Sequence, residues 1–365
     1  MNKLIIANLL HRPVRSIISV LAVAIEVVMI LSIVGIFMGI LNDQKQRTNG
    51  IGADIMVMPS NASMFNGVGA VSLPQVDADA LLKLPHIVGV SPAISHLNTS
   101  GNLEILYGID YASFNALKPF IFVEGGPFKG PGDAIVDTVF ANNKYHVGDK
   151  IQILDQPFTI SGIVEPGKGG RKLIPLETMQ QMIGTPKKVS LIYVKCDNPA
   201  NADIVLKEIH STEGFEKNTL WTIDSWLNEM TPSKLPGFKL SLDAVTSIAA
   251  IVGFLVIFQT MYTAVLERTR EIGILKSMGA SKTTIVTLLL RECSMLAVAG
   301  VIVGIILTYA VRSSILHFFP TQHFEITPFW LLKGALIAFA GAIVGAIYPA
   351  WMAARKDPID ALAYE

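Results

Sequence analysis

The chain has 365 residues, of which 51% are hydrophobic and 16% are charged. Soluble proteins carry about 25% charged residues, so this composition indicates a membrane protein with a sizeable soluble part. Basic and acidic side chains both number 29, and the resulting net charge of zero gives no argument for a nucleic acid partner. The two cysteines exclude a disulfide framework of the small secreted kind, and we expect both to be free thiols.

The start of the chain predicts a membrane helix that is not cleaved off. Residues 1–13 are short and amphipathic, which indicates an interfacial helix. The apolar run 14–41 follows, and it is longer than the core of a signal peptide, which has about 7 to 15 residues. Because it can also cross a hydrocarbon core of about 30 Å, we predict a first transmembrane helix over 14–41.

Three residues of this run are candidates for a substrate path. Glu26 lies near its middle, where a carboxylate costs at least about 3 kcal/mol unless it is neutralised, hydrated or paired. It is either a substrate-contacting or gating group, or a protonated or hydrogen-bonded carboxyl in helix packing. Met29 and Met38 are path candidates because methionine forms adaptable apolar surfaces, with core packing as the alternative.

Residues 42–240 contain no further apolar run long enough to span a membrane. Short β-branched and apolar segments bounded by Gly, Pro and Asp indicate strands, and segments with helical spacing lie between them. We therefore predict one α+β domain with two lobes, inserted after the first transmembrane helix.

Three more spanning runs follow this domain. We predict transmembrane helices over 241–266, 284–312 and 328–354, connected by 267–283 and 313–327 and followed by a tail over 355–365. Thr327 and Pro328 favour a helix start because threonine caps the first amides and proline suits the first turn.

Each of three membrane runs carries a Gly-x-x-x-Gly pair, a spacing that lets helices approach closely. The pairs are Gly35 with Gly39, Gly300 with Gly304, and Gly341 with Gly345. We favour helix packing as their role, and a homodimer seam remains the alternative for the pair on the first helix.

The distribution of Lys and Arg near the helix ends predicts the orientation. Basic residues precede the first run, surround 267–283 and follow the last run, whereas the opposite short connection, 312–326, carries only Arg312 as a fixed positive charge. With four helices these groups fall on one side, so we expect both termini and 267–283 in the cytoplasm and 42–240 outside it.

A glycine-rich segment, residues 162–169, fits a phosphate-binding loop as far as Lys168. The next residue is Gly169, where that loop needs Ser or Thr to ligate Mg²⁺. The segment also falls in the part predicted to lie outside the cell, where ATP is scarce. We interpret it as a flexible loop at a lobe edge, and we expect no ATPase within this chain.

The charged stretch 267–281 cannot stay in hydrocarbon, so it must form a compact corner at one membrane face. We expect its first part to extend the preceding helix into the cytoplasm. Gly279 can end that helix in the left-handed conformation, and Ser281 can cap the next one. The sequence thus predicts a rigid, charged corner between two membrane helices.

Two segments carry a family resemblance. The run Glu-Arg-Thr-Arg-Glu-Ile-Gly-Ile-Leu-Lys-Ser-Met-Gly-Ala-Ser at 267–281 resembles the signature loop of MacB/FtsX-like ABC transporter permeases, which include lipoprotein-release permeases. Residues 348–355, Tyr-Pro-Ala-Trp-Met-Ala-Ala-Arg, and 357–362, Asp-Pro-Ile-Asp-Ala-Leu, resemble the closing segment of that family. With the helix order, the resemblance covers nearly the whole chain.

The resemblance implies a permease of the bacterial inner membrane that is not itself an enzyme and forms a homodimer. A separate ABC ATPase subunit would bind ATP and Mg²⁺ and dock on the corner, and its motion would extrude a lipophilic or amphipathic substrate by mechanotransmission. The residues expected to couple to the ATPase are Glu267, Arg270, Glu271, Gly273, Lys276, Gly279 and Ala280.

The alternative function is a mechanical signalling subunit that activates an extracytoplasmic partner such as a cell-wall hydrolase. The sequence also leaves open the substrate (lipid, lipoprotein, peptide, drug or haem) and the involvement of a periplasmic adaptor and an outer-membrane duct. The histidines show no metal-ligand spacing, and no catalytic arrangement is indicated. We therefore expect membrane lipid and protein partners, and no cofactor in the chain itself.

Overall fold

The computed structural model describes residues 13–60, 62, 71–98, 104–232, 234–319 and 321–356. The chain divides into two compact units. We call Ile40–Leu235 the sheet unit, and Met1–Gly39 together with Pro236–Glu365 the helical unit. The predicted interfacial helix over 1–13 and the tail over 355–365 lie outside the described residues, apart from Pro13, Arg355 and Lys356.

The described residues contain eleven α-helices and twelve strands. The helices are α1 (Pro13–Asn49), α2 (Asp77–Leu81), α3 (Tyr111–Leu117), α4 (Thr138–Ala141), α5 (Leu176–Met182), α6 (Ala202–Ser211), α7 (Ile223–Glu229), α8 (Pro236–Glu267), α9 (Thr269–Ser277), α10 (Lys282–Phe318) and α11 (Pro328–Arg355). The strands are β1 (Ile55–Met58), β2 (Leu73–Pro74), β3 (Ile87–Asn98), β4 (Glu104–Ile109), β5 (Phe122–Gly125), β6 (Asp133–Asp137), β7 (Lys150–Ile153), β8 (Gln156–Val164), β9 (Lys172–Pro175), β10 (Lys188–Val189), β11 (Leu191–Cys196) and β12 (Thr219–Thr222).

The sheet unit is built on one mixed sheet of ten strands in the order β12-β1-β11-β3-β4-β9-β6-β8-β5, with β7 paired to β8. Both faces of the sheet are covered where β1 lies, which is why β1 is apolar at every position. Ile55 and Val57 pack into a core with α2, α5 and α6 on one face, and Met56 and Met58 pack with α3 and α7 on the other. This alternation follows from the period of two in a strand.

The predicted α+β class is confirmed, but its two lobes are two halves of one sheet. Strands β5 to β9, which are contiguous in the chain, form one half, and strands from both flanking segments form the other. The parallel pair β4 and β9 joins the halves, with Leu106 opposite Lys172 and Ile109 opposite Pro175. The backbone hydrogen bonds of this pair therefore make one compact unit.

Four helices are long and apolar enough to cross a membrane, as the predicted fold class requires. They cover Ser16–Asn49, Gly237–Glu267, Lys282–Phe318 and Pro328–Arg355. The last begins as the sequence predicts, with the Thr327 hydroxyl accepting from the Trp330 amide at 3.4 Å and Pro328 in the first turn.

Glycines set the contacts between these helices. A Cβ on Gly300 or Gly304 would press against Val23 or Val27 of α1, and a Cβ on Gly345 would lie 2.8 Å from the Phe254 carbonyl of α8. The missing side chains let backbones approach where lipid supplies little drive for association. The favoured packing interpretation therefore holds for these pairs.

Gly35 and Gly39 also pack within the chain. Their faces contact the connection between α10 and α11, where a Cβ would overlap the Phe324 ring or the His323 carbonyl. The Glu325 amide donates to the Gly35 carbonyl at 2.9 Å. These two glycines are thus occupied by their own chain, which contradicts their use as a homodimer seam.

Candidate functional site

The charged corner is a separate short helix and not an extension of the preceding membrane helix. Helix α8 ends at Glu267, Arg268 leaves the helical conformation with φ −106° and ψ 19°, and α9 then begins. The Thr269 hydroxyl donates back to the carbonyls of Val265 at 3.1 Å and Leu266 at 2.8 Å. The break turns the Arg268 side chain inward toward α10.

A buried ion pair holds one side of this corner. Nη1 of Arg268 donates to both carboxylate oxygens of Glu292 on α10, at 3.0 and 3.1 Å. Both residues are less than a tenth exposed, so most of the surface of the pair is removed from water. Sequence reasoning missed it, although a carboxylate at the start of an apolar run is a signal for a buried partner.

Lys276 holds the other side. Its Nζ donates to the Ala354 carbonyl at 3.0 Å and also to the Lys356 carbonyl. These carbonyls end α11 and have no partners within that helix. Lys276, expected to contact an ATPase, therefore ties α9 to the end of the last membrane helix.

The turn after α9 has the predicted form. Gly279 has a φ of 94°, its amide donates to the Lys276 carbonyl, and the Ala280 amide donates to the Leu275 carbonyl, both at 3.0 Å. These two bonds make a Schellman motif. Ser281 then caps α10 by accepting from the Thr284 amide at 3.2 Å.

The outward face of α9 combines charge with exposed apolar surface. Arg270 and Glu271 are exposed. Ile274, one turn further along, is 43% exposed, and Met278, directly after the end of α9, is 70% exposed. Positions three to four apart lie on one face of a helix. Gly273 lies on the opposite, buried face, so among the predicted coupling residues of α9, Arg270 and Glu271 are the ones on this outward face.

The remaining predicted coupling residue, Glu267, is exposed at the end of α8.

A cavity of about 260 Å³ opens beside α9. It is lined by the Arg268–Glu292 pair, by Glu271 and by apolar side chains such as Ile272 and Leu289. The corner thus offers a helix face and an adjoining recess.

A second charge network lies in the sheet unit, at the end of α1. The Arg171 guanidinium contacts Asp43 at 3.0 Å and Asp137 at 3.1 Å, and Arg47 contacts Asp43 at 3.0 Å. We call these four residues the α1 clamp. Asp137 is 2% exposed and also accepts from the Phe140 amide at the start of α4, so the clamp fixes the last turns of α1 to the sheet.

The glycine-rich segment expected to be a flexible loop packs against the end of α1, next to this clamp. The Gly169 amide donates to the Arg47 carbonyl at 3.1 Å, and a Cβ on Gly50 would overlap the Gly167 carbonyl. Close backbone contact, which glycine alone permits here, accounts for the composition that resembles a phosphate loop.

Lys168 does not point outward as a phosphate ligand would. Its Nζ donates to the Lys118 carbonyl at 2.6 Å and lies 5.0 Å from the centre of the Phe120 ring. Burial lowers its pKa to about 8, with nearby Lys118 and Lys195 contributing. The amine therefore serves the packing of the sheet unit.

The three predicted path residues lie inside the helical unit. Glu26 is 3% exposed, and neither carboxylate oxygen has a hydrogen-bond partner among the described residues. Met29 and Met38 pack in an apolar cluster with Phe37, Phe238 and Trp330, and the two phenylalanine rings are 4.4 Å apart. Glu26 is not a member of this apolar cluster, so the carboxyl and the two methionines have different surroundings.

Two family models together match most of the chain. Residues 16–212 match the MacB-like periplasmic core domain, and residues 244–358 match the FtsX-like permease C-terminal domain. The chain belongs to the MacB/FtsX-like family of ABC transporter permeases. The family and the four apolar helices indicate a protein of the bacterial inner membrane.

Curated relatives share about a quarter of their residues with the chain. The macrolide export ATP-binding/permease protein MacB of Brucella melitensis is 26% identical over 96% of the chain, which spans 58% of that relative's length. The ABC transporter permease YknZ of Bacillus subtilis is 24% identical over 100% of the chain and 98% of its own length.

The solved structures that are similar to the chain include the periplasmic region of MacB from Actinobacillus actinomycetemcomitans, which is 18% identical, with a TM-score of 0.36 over 49% of this chain and 93% of that one.

The ion pair at the corner predicts a strong effect of removing one partner. In Glu292→Gln the buried Arg268 guanidinium loses the carboxylate that it contacts, and breaking a buried ion pair costs about 3–5 kcal/mol. We expect a clear fall in the thermal unfolding midpoint of the purified protein in detergent, measured by intrinsic fluorescence.

Two matched variants test this interpretation of the ion pair. Glu271→Gln removes an exposed carboxylate and should change stability by less than about 0.5 kcal/mol. Arg268→Met combined with Glu292→Met replaces both charges with apolar groups and should restore most of the midpoint. A Glu292→Gln midpoint equal to that of the wild type would contradict the ion pair.

The α1 clamp predicts local loosening when Arg171 is replaced. Arg171→Met leaves Asp137 buried without its cation, and breaking such a pair costs about 3–5 kcal/mol. Hydrogen exchange of peptides covering 43–50 and 165–171 should accelerate at least about tenfold. Lys234→Met, which removes a cation from an exposed pair with Glu229, should leave both peptides unchanged; equal exchange in the two variants would argue against the clamp.

Proposed function

We propose that the chain is the membrane subunit of an ABC exporter that works as a homodimer with two ATPase subunits. ATP and Mg²⁺ are bound by the partner, and ATP binding pushes on the corner around α9. The helices carry this motion outward and extrude a lipophilic or amphipathic substrate that enters from the outer leaflet or the periplasm. Both termini and the corner lie in the cytoplasm, and the sheet unit lies outside it.

The observation that carries this proposal is the bracing of α9. The short helix is joined to α10 by the Arg268–Glu292 pair and to the end of α11 by Lys276. A force applied to its outward face would therefore reach two membrane helices without first bending the corner. A loop held only by its ends would absorb the same force.

The outward face of α9 has the composition of a docking surface. Ile274 and Met278 supply apolar contact area, and Arg270 and Glu271 flank them with opposite charges. Apolar centres with charged rims favour specific protein contacts, because the rim charges fix register and exclude wrong partners.

Transmission to the outer side would use α1. This helix runs unbroken over Pro13–Asn49, and its last turns are held by the α1 clamp. Each end of the proposed relay is thus fixed by buried or partly buried charge pairs, which resist displacement because separation would leave an unpaired charge.

The docking surface is tested by reversing one of its charges. Glu271→Lys should reduce the ABC ATPase that co-purifies from host membranes by about tenfold or more, since a tenfold loss corresponds to about 1.4 kcal/mol. Expression should be unaffected because the side chain is exposed.

The control for this charge reversal is Glu213→Lys, which makes the same change at an exposed position of the sheet unit. It should leave ATPase recovery at the wild-type level. Equal recovery with Glu271→Lys, quantified by mass spectrometry, would remove the docking face from the proposal.

Native mass spectrometry of the complex in lipid nanodiscs tests the export function itself. We expect two copies of this chain, two ATPase chains and a lipophilic adduct. The same assembly carrying an outer protein and no adduct would instead support mechanical signalling, and a lone chain without either would contradict both.

A further inference from the structure

The helical unit contains a buried carboxyl that the coupling proposal does not use. Glu26 is 3% exposed in the middle of α1, and both of its oxygens are buried without a hydrogen-bond partner among the described residues. Glu292, the other buried carboxyl of the membrane helices described here, has an arginine partner. The two groups therefore require different explanations.

Glycines on two neighbouring helices make the space that this carboxyl fills. A Cβ on Gly253 of α8 would overlap the Glu26 carboxylate, and a Cβ on Gly341 of α11 would lie 3.7 Å from Oε1. The carboxyl thus occupies the place of two absent side chains. Its position depends on α8 and α11 staying packed against α1.

No cation approaches this notch from the described parts of the surrounding helices. On each helix we take the ionisable residues that come first in sequence on either side of the part that faces the notch or contacts α1. They are Arg15 and Asp43 on α1, Asp243 and Tyr262 on α8, Cys293 and Tyr309 on α10, and Lys333 and Tyr348 on α11. On α8 and α11 they lie at least about 10 Å along the helix from the notch, at a rise of 1.5 Å per residue. The Cys293 thiol is already used, donating to the Ala342 carbonyl at 3.4 Å.

An ionised carboxylate in this setting is unfavourable. A lone charge at the centre of a membrane helix costs at least about 3 kcal/mol, and isolated buried charges avoid that cost by taking the neutral form. A protonated carboxyl carries no charge and fits the same apolar space.

We propose that Glu26 is a proton-binding site of the packed helices. It holds a proton while α8 and α11 enclose it, and it transfers that proton to water when the helices part and water enters. Proton binding and helix packing are then linked, so each favours the other, and a rise in pH favours separation. This site stands independently of the ATPase partner and the exported substrate.

Infrared spectroscopy of the full chain in lipid nanodiscs tests the bound proton directly. The carbonyl stretch of a protonated carboxylic acid, which ionised carboxylates lack, should be present at neutral pH and lost in Glu26→Gln. The Arg268→Met and Glu292→Met double variant removes the paired carboxyl and should retain the band. Identical spectra for the wild type and Glu26→Gln would overturn the proposal.

Hydrogen exchange tests the link to packing. At alkaline pH, peptides covering 22–30 and 249–257 should exchange faster in the wild type than in Glu26→Gln, because only the wild type can ionise there. At acidic pH the two proteins should coincide. Coincidence at every pH would disprove the link, and it would do so whether or not an ATPase binds the corner.

Discussion

The buried pair between Arg268 and Glu292 is the contact on which the corner depends. A charge that leaves water must find a close partner, and this requirement draws Arg268 out of the helical path and breaks α8 from α9. The break creates a short helix with one face inward and one outward. Lys276 then closes the inward side on the last carbonyls of α11, so the outward face is displayed on a rigid support.

The same constraint operates at the far end of α1. Arg171 joins Asp43 to Asp137, and the glycine-rich segment packs its backbone against that of α1. Charge pairs here hold together elements that are distant in the chain, and glycines permit the close backbone approach that these contacts need. The proposed transmission of motion would require stiff connections of this kind at both ends.

Glu26 differs from these paired charges. Its oxygens have no hydrogen-bond partner in the part of the chain that the structure describes, and its carboxyl fits between two glycines. The helical unit therefore combines a paired carboxyl that resists movement with an unpaired one whose charge would change with movement. The first favours rigid transmission, and the second makes the packed state sensitive to protons, so two buried glutamates on neighbouring helices have different physical roles.

Local sequence patterns determined the four membrane helices, the α+β class and the turn at Gly279 and Ser281, because hydropathy, strand period and helix caps act between near neighbours. Only the tertiary structure decided that Lys276 caps α11, that the two lobes share one sheet, and that the glycine-rich segment packs against α1. These features, like the Arg268–Glu292 pair, depend on partners far apart in the chain: 78 residues for Lys276 with Ala354, 24 for Arg268 with Glu292 and 128 for Arg171 with Asp43. Pairing over such separations follows from how the helices and strands pack, which no local pattern encodes.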